Sequence, residues 1–223
     1  MKHAILILIL LASCLLWSED PVAVCMKVKG DVQVARNDDV TALETGAMLY
    51  HNDILTSAED SYAAVKFVDG SALLKLFPNS LLRLNATVED GELNKRPYVE
   101  QGDVYSRVMR RAGVYEVESP TTVASVKGTD FLVSVDASGM TELYTMSGIV
   151  EFSNKRDGER ANVGPGQAAA SSGAGPIETH AFAPGELDPE QQQLIEEEGV
   201  SRELRIELQN PQGEKRTLIF EME

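Results

Sequence analysis

Apolar and polar positions alternate with period two in short runs, and glycine, asparagine or aspartate closes nearly every run. Val123–Asp136 shows the pattern most fully. An apolar run breaks at Lys127-Gly128-Thr129, after which Phe131, Val133 and Val135 fall on one side and Leu132 and Ser134 on the other. Such alternation of β-branched and aromatic residues predicts strand, turn and strand. Earlier in the chain, Ala23–Ala35 reads as two short strands turning at Gly30-Asp31, followed by a polar turn at Asn37-Asp38-Asp39. Leu43–Ser57 contains a glycine turn and a second turn at Asn52-Asp53. Tyr62–Val68 alternates and closes at Asp69-Gly70, the strongest short hairpin signal in the chain. Ser71–Phe77 returns, Pro78-Asn79 marks a turn or edge because proline cannot donate to a ladder, and Leu81–Leu84 follows.

The second half repeats the theme. Val88–Glu92 reads as an acidic turn; Tyr98–Glu100 and Val104–Val108 flank a turn at Gln101-Gly102-Asp103; Tyr115–Glu118 leads into Ser119-Pro120. Beyond Val123–Asp136, a turn at Ala137-Ser138-Gly139 precedes Met140–Thr145, Ile149–Phe152, and short strands around Gly164-Pro165-Gly166. The run Phe67-Val68-Asp69-Gly70-Ser71 is echoed by Val135-Asp136-Ala137-Ser138-Gly139, through duplication or as two similar hairpins. With no amphipathic helix between these strands, the expected fold is all-β: many short strands in a sandwich or roll, or in a short β-solenoid. This domain is expected over residues 23–169.

Residues 170–185 are small, flexible and proline-bearing and read as a linker. Residues 186–223 form an acidic tail of different character. Asp188 is placed as an N-cap with Pro189 at the first helical position, and a short helix over Glu190–Glu198 stops at Gly199. Arg202–Gln209 and Arg216–Glu223 alternate around Asn210-Pro211-Gln212-Gly213 as a terminal hairpin, with Leu204, Ile206 and Leu208 in phase with Leu218 and Phe220. A two-stranded hairpin is marginal alone in water, so it is expected to dock on the main domain, a second copy or another protein.

Residues 1–22 read as a secretory signal. Met1-Lys2-His3 precede an apolar run from Ala4 to Trp17 that is too short to span a bilayer, which takes about 20 residues. Leu11-Ala12-Ser13-Cys14 matches the bacterial lipobox, which would place lipid on Cys14. The other reading is a leucine-rich signal cleaved nearer Ser18–Ala23. The chain is thus expected to be exported, as a periplasmic protein or a membrane-anchored lipoprotein of a bacterial envelope.

The net charge of −15 argues against nucleic acid and anionic membrane as partners, leaving a lipid anchor as the one membrane contact. Cys25, between Val24 and Met26, is expected to be a small buried hydrophobe, with no disulfide framework implied. His3, His51 and His180 have no cysteine or histidine neighbours in a zinc-type spacing. Ser71 and Ser119 lack a glycine-framed nucleophile context. No cofactor, no metal and no enzymatic activity are expected. The acidic turns Asp38-Asp39, Glu89-Asp90 and Asp136 are oxygen-rich enough to suit calcium, but they lack an EF-hand ligand run and read first as turn formers. Arg107, Arg110 and Arg111 are the one basic cluster. They read either as a solvated strand end balancing Glu116 and Glu118, or as the contact for an acidic partner segment such as Glu196-Glu197-Glu198.

Gly46, Asp53-Ile54-Leu55-Thr56, Asp69-Gly70-Ser71 and Pro78-Asn79-Ser80 together resemble the first part of the FecR domain of the ferric-citrate regulator family. Gly102-Asp103-Val104, Ser119-Pro120, Ala124–Phe131 and Gly148-Ile149-Val150 resemble the second. The resemblance implies an exported all-β domain without catalysis, in which Asp69, Gly70, Ser71, Gly128 and Thr129 define turns of the fold. It does not carry over direct sigma-factor regulation, since only three residues precede the apolar run. The chain is therefore expected to be a free-standing exported version that binds an envelope protein or glycan, in signalling or assembly. The alternatives are a structural lipoprotein that self-associates through edge strands or the terminal hairpin, and an accessory component of a transmembrane sensor pathway.

Overall fold

The computed structural model describes residues 20–110, 113–196, 203–209 and 215–221; residues 1–19 of the expected signal with Cys14, Arg111, Glu197-Glu198 and the expected turn Asn210-Pro211-Gln212-Gly213 lie outside them. Among the described residues strands predominate (55%), there is one short α-helix, and the sheet is not closed.

The strands are laid down in two layers. In chain order, β1 (Ala23–Lys29) belongs to sheet I, β2 (Val32–Arg36) and β3 (Asp39–Ala42) to sheet II, and the short β4 (Met48–Leu49) to sheet I. Next, β5 (Ile54–Ser57) lies in sheet II, β6 (Tyr62–Phe67) and β7 (Ala72–Leu76) form a hairpin in sheet I, and β8 (Leu81–Arg83) returns to sheet II beside β5. The hairpin of β9 (Ala86–Glu89) and β10 (Glu92–Lys95) follows.

The 11 residues of β11 (Tyr98–Val108) pair with β8 in sheet II at one end and with β7 in sheet I at the other. The turn expected at Gln101-Gly102-Asp103 is therefore a bend inside one continuous strand. A register shift between Val99 and Gln101 and the positive φ of Gly102 (93°) make the bend. Because this strand crosses between layers, hydrogen bonding links nineteen strands into one folded-over sheet.

The same winding then recurs. β12 (Tyr115–Glu118) and β13 (Thr122–Val126) lie in sheet II, β14 (Asp130–Val135) and β15 (Thr141–Ser147) form the sheet I hairpin, and β16 (Val150–Asn154) returns beside β13. Thus β13–β16 repeat the path of β5–β8, with β1 and β2 flanking the first unit as β11 and β12 flank the second. Turn positions correspond as well: Asp60, before β6, and Gly128, before β14, both have positive φ, as do Asn79, before β8, and Gly148, before β16. The two echoing hairpins of the sequence are the centres of two like four-strand units. β17 (Arg160–Val163) and β18 (Gln167–Ser171) then cover the second unit in sheets II and I, as β11 alone covers the first.

Alternation explains the core. Cys25, Val65, Phe67, Leu74, Val104, Phe131, Val133 and Leu143 of sheet I point inward against Val34, Leu55, Leu82, Val117, Ala124 and Phe152 of sheet II. The intervening residues of sheet I are also apolar: Val24, Met26, Tyr62, Ala64, Tyr105 and Leu132 form a second cluster on its outer face. A sheet apolar on both faces needs a cover, and the acidic tail supplies it. The helix α1 (Pro189–Glu196) and the short 3-10 turn before it (Pro184–Glu186) place Leu187 and Leu194 on that cluster. Asp188 caps α1 as expected, its Oδ1 accepting from the Gln191 N–H at 2.8 Å while Gln191 Oε1 accepts from the Asp188 N–H.

The stretch expected as a linker carries a strand. β19 (Glu178–Ala181) pairs with β18 over Ala170↔Glu178 through Gln167↔Ala181. Its four residues are all exposed, so the inside–outside alternation that marks a strand in sequence was never present. The terminal hairpin forms from β20 (Glu203–Gln209) and β21 (Lys215–Glu221), with Leu204 opposite Phe220 and Ile206 opposite Leu218.

Candidate functional site

The polar residues of the family-like pattern turn inward. Asp53 is wholly buried, and its carboxylate receives Arg36 Nε and Nη2, each at 2.7 Å, and the Tyr50 N–H at 2.8 Å. The Arg36 guanidinium also lies over the Tyr50 ring at 4.1 Å. This bidentate fork joins β2 to the turn before β5. Asp69 Oδ1 accepts from the N–H and hydroxyl of Ser71 at 3.1 and 2.8 Å, closing an Asx turn in which Gly70 supplies φ of 70°. Its Oδ2 meets the buried Lys95 ammonium at 2.6 Å, which ties the β6–β7 hairpin to β10.

Asp136 repeats that turn in the second unit, accepting from the Ser138 N–H and hydroxyl at 2.8 and 2.6 Å. The Ser138 hydroxyl first, then the backbone amides of the turn, hold its carboxyl below the usual carboxylate range. Asp136, weighed above as an oxygen-rich cation turn, thus ligates its own turn. Ser119 sits in a buried hydroxyl cluster with Thr122 and Thr141 at 2.9 and 2.8 Å. Ser57 and Ser80 link the β5 and β8 ends to Asp103.

Thr129 is buried and donates to the Ile149 carbonyl at 3.3 Å. Gly128 has φ of 78°, and a Cβ there would stand 2.4 Å from Arg110 Cγ and 3.0 Å from its Cα. Gly148 in turn packs on Gly128, since a Cβ would meet the Gly128 carbonyl oxygen at 2.6 Å. The signature turn is therefore the inner layer of a three-layer stack, with Arg110 on one side and Gly148-Ile149 on the other.

Around that stack the surface changes character. Met109 and Ile149 are each 61% exposed, and Val114 is also exposed. Beside them an open trough of about 460 Å³ crosses the outer face of sheet II, lined by Val114, Glu116, Ser125, Lys127, Ile149 and Glu151. Its carboxylates are held: Arg96 donates to Glu116 at 2.9 Å and Arg160 to Glu151 at 2.9 Å.

The basic cluster is divided by this arrangement. Arg107 lies on β11, its Nε 3.5 Å from Asp130 Oδ2 and its guanidinium 5.9 Å from the Tyr105 ring. Arg110 stands at the Gly128 stack. Glu116 and Glu118, weighed as balancing charges for the arginines, pair with Arg96 and Lys155. Sequence reasoning found the turns but missed the exposed aliphatic corner. Met109 and Val114 lie in the connection between β11 and β12 and Ile149 in the turn between β15 and β16, and the stacking of Gly148 on Gly128 and of Gly128 on Arg110 joins the two.

Cys25 is buried, and burial pushes its thiol up to about 12. Burial likewise raises the Tyr115 phenol, which shares a hydrogen bond with Ser106 at 2.9 Å. His51 Nδ1 accepts from the Ala86 N–H at 3.2 Å. Among the described residues no group of three or more His, Cys, Asp or Glu is placed to hold a metal ion. No helix among them is long and apolar enough to cross a membrane.

These features define a class of two-layer β domain whose polar pattern residues serve its own turns and seams. Residues 53–151 match the model of the family described as FecR protein. The matched stretch opens at the buried Asp53 and runs through both four-strand units into β16. No curated protein matches the chain in sequence. Two crystal structures of a candidate anti-sigma factor from Parabacteroides distasonis ATCC 8503 are similar to 57% of this chain, each at 17% identity, with TM-scores of 0.49 and 0.48. The likeness covers 59% of that protein, so the chain spans less than two thirds of its length.

Proposed function

We propose that the chain is a non-enzymatic FecR-domain scaffold of the bacterial cell envelope that binds a partner protein in envelope signalling. The supporting observation is the division of labour among its side chains. The Asp, Ser and Thr residues of the pattern hold one another or the backbone inside the fold, while two exposed aliphatic side chains, Val114 and Ile149, line one open trough. Exposed apolar residues beside a groove mark interaction surfaces. Val114 and Ile149, with Lys127 beside them, offer an anchor-and-charge pattern suited to a protein. A glycan would be better served by stacked aromatic rings, which favours a protein over a glycan. Export through the leader, with or without lipid on Cys14, delivers the scaffold to its compartment. The terminal hairpin is a second docking element.

The role of the hairpin is tested by capture from envelope extracts with the full chain and with a chain ending at residue 202, which retains the cover of sheet I. Weaker recovery of the partner by the shortened chain is expected. Equal recovery from both removes the hairpin from the reading.

A further inference from the structure

The outer face of sheet I holds its cover in an unusual way. Its floor is apolar, built from Met26, Tyr62, Tyr105 and Leu132, yet the helix on it is gripped at both ends by charged residues. Lys75, in the middle of β7, is 1% exposed and lies 5.7 Å from the centre of the Tyr105 ring. Its ammonium donates to the Leu194 carbonyl at 2.6 Å and approaches the Ile195 carbonyl at 3.4 Å, at the C-terminal end of α1. Near the other end, the Asp103 carboxylate accepts from Gln191 Nε2 at 2.7 Å. A cation therefore meets the negative end of the helix dipole and an anion stands by the positive end, so the groove fixes helix direction as well as position.

This pattern differs from a permanently closed core. A buried charge in place of a hydrophobe adds little to closure, and its best-attested use is to fix register or direction. When α1 leaves, Lys75 and Asp103 regain water, so the open state is tolerated. Among the described residues of the covering segment Leu187 and Leu194 are buried, with Phe182 and Ile195 partly buried against the same cluster.

The geometry points to a docking groove for a two-turn helix of fixed polarity, occupied in cis by α1 and taken by a helical segment of a partner protein when α1 is displaced. The recognised helix carries an amide side chain in its first turn for Asp103, a leucine-like residue three positions on, and free carbonyls at its end for Lys75. This rests on the reading that the chain binds a protein, and it adds a second surface, on sheet I, and the conformation of what binds there.

The test uses the full chain and, as probe, a fluorescein-labelled peptide of residues 183–196. Wild type should take up little peptide because α1 fills the groove, whereas Leu194→Asp should bind it saturably. Adding Lys75→Met to that variant should weaken binding about tenfold, the scale of one charge-assisted hydrogen bond. A folded Leu194→Asp chain that ignores the peptide, or binding indifferent to Lys75, overturns the groove. Should Leu194→Asp not fold, hydrogen exchange of the chain carrying Lys75→Met alone decides. Exchange at Gln191 and Gln192 should quicken about tenfold while β11 and β14 stay protected. Exchange of those helix amides only together with the core overturns the proposal. Because the probe is the chain's own segment, failure here leaves the capture result standing, and failure to capture a partner leaves this result standing.

Discussion

Arg36→Met is expected to lower the free energy of unfolding by about 3–5 kcal/mol, as expected for removing one partner of a buried ion pair. The loss comes from Asp53 rather than from the arginine, which is itself half-exposed. Asp53 is wholly buried and takes two guanidinium hydrogen bonds; without them the Tyr50 amide is the remaining donor described for it. The carboxylate would stay in the interior with most of its compensation gone. Arg96→Met is the control: its pair with Glu116 is exposed, and such pairs contribute at most about 1 kcal/mol. Urea denaturation of the two variants should give midpoints that differ clearly at similar slopes. Equal midpoints would mean that Asp53 finds other donors and that this seam is not specific.

Gly102→Ala is expected to cost about 3–5 kcal/mol, and Gly70→Ala only about 1–2 kcal/mol. Both glycines have positive φ, 93° and 70°, so the backbone penalty is shared. Their surroundings differ. A Cβ on Gly102 would lie 2.5 Å from the Ser80 Cα, in the seam where β11 passes from sheet II to sheet I, whereas a Cβ on Gly70 meets nothing within 4 Å. Ser80 cannot yield easily, since its hydroxyl accepts the Asp103 N–H and its amide donates to Ser57. Thermal unfolding of the two variants separates the contributions, and equal shifts would show that close approach plays no part at Gly102.

Much of the fold was legible because one face of most strands is buried. The alternation Phe131, Val133, Val135 against Leu132 and Ser134 is the alternation seen between the two clusters, and the Asp69-Gly70 hairpin and the Asp188 cap form as expected. What was not legible has physical causes. β3 and β19 are exposed edge strands without an apolar phase. The bend at Gly102 looks like a turn in sequence because a glycine flanked by polar residues serves either role. Val88–Glu92, read as an acidic turn, is the tip of the β9–β10 hairpin, where Asp90 and Gly91 both adopt positive φ.

The candidate site was less legible than the fold. Asp53 and Arg36 are separated along the chain, and nothing local announces that they pair. Lys75 within Leu73-Leu74-Lys75-Leu76 suggests a solvent-facing position, which it would be without α1. Ile149 reads as an ordinary strand-end residue until the stacking of Gly148 on Gly128 places it with Val114 along one trough.

The most direct measurement is photo-cross-linking in intact bacterial envelopes, with a photoreactive residue placed at Ile149 in one full-length chain and at Val88, an exposed position on the β9–β10 hairpin, in another. The account predicts a discrete covalent adduct with one envelope protein from position 149 and none from position 88. Adducts of equal yield from both positions, or none from position 149 in a folded chain, would contradict it.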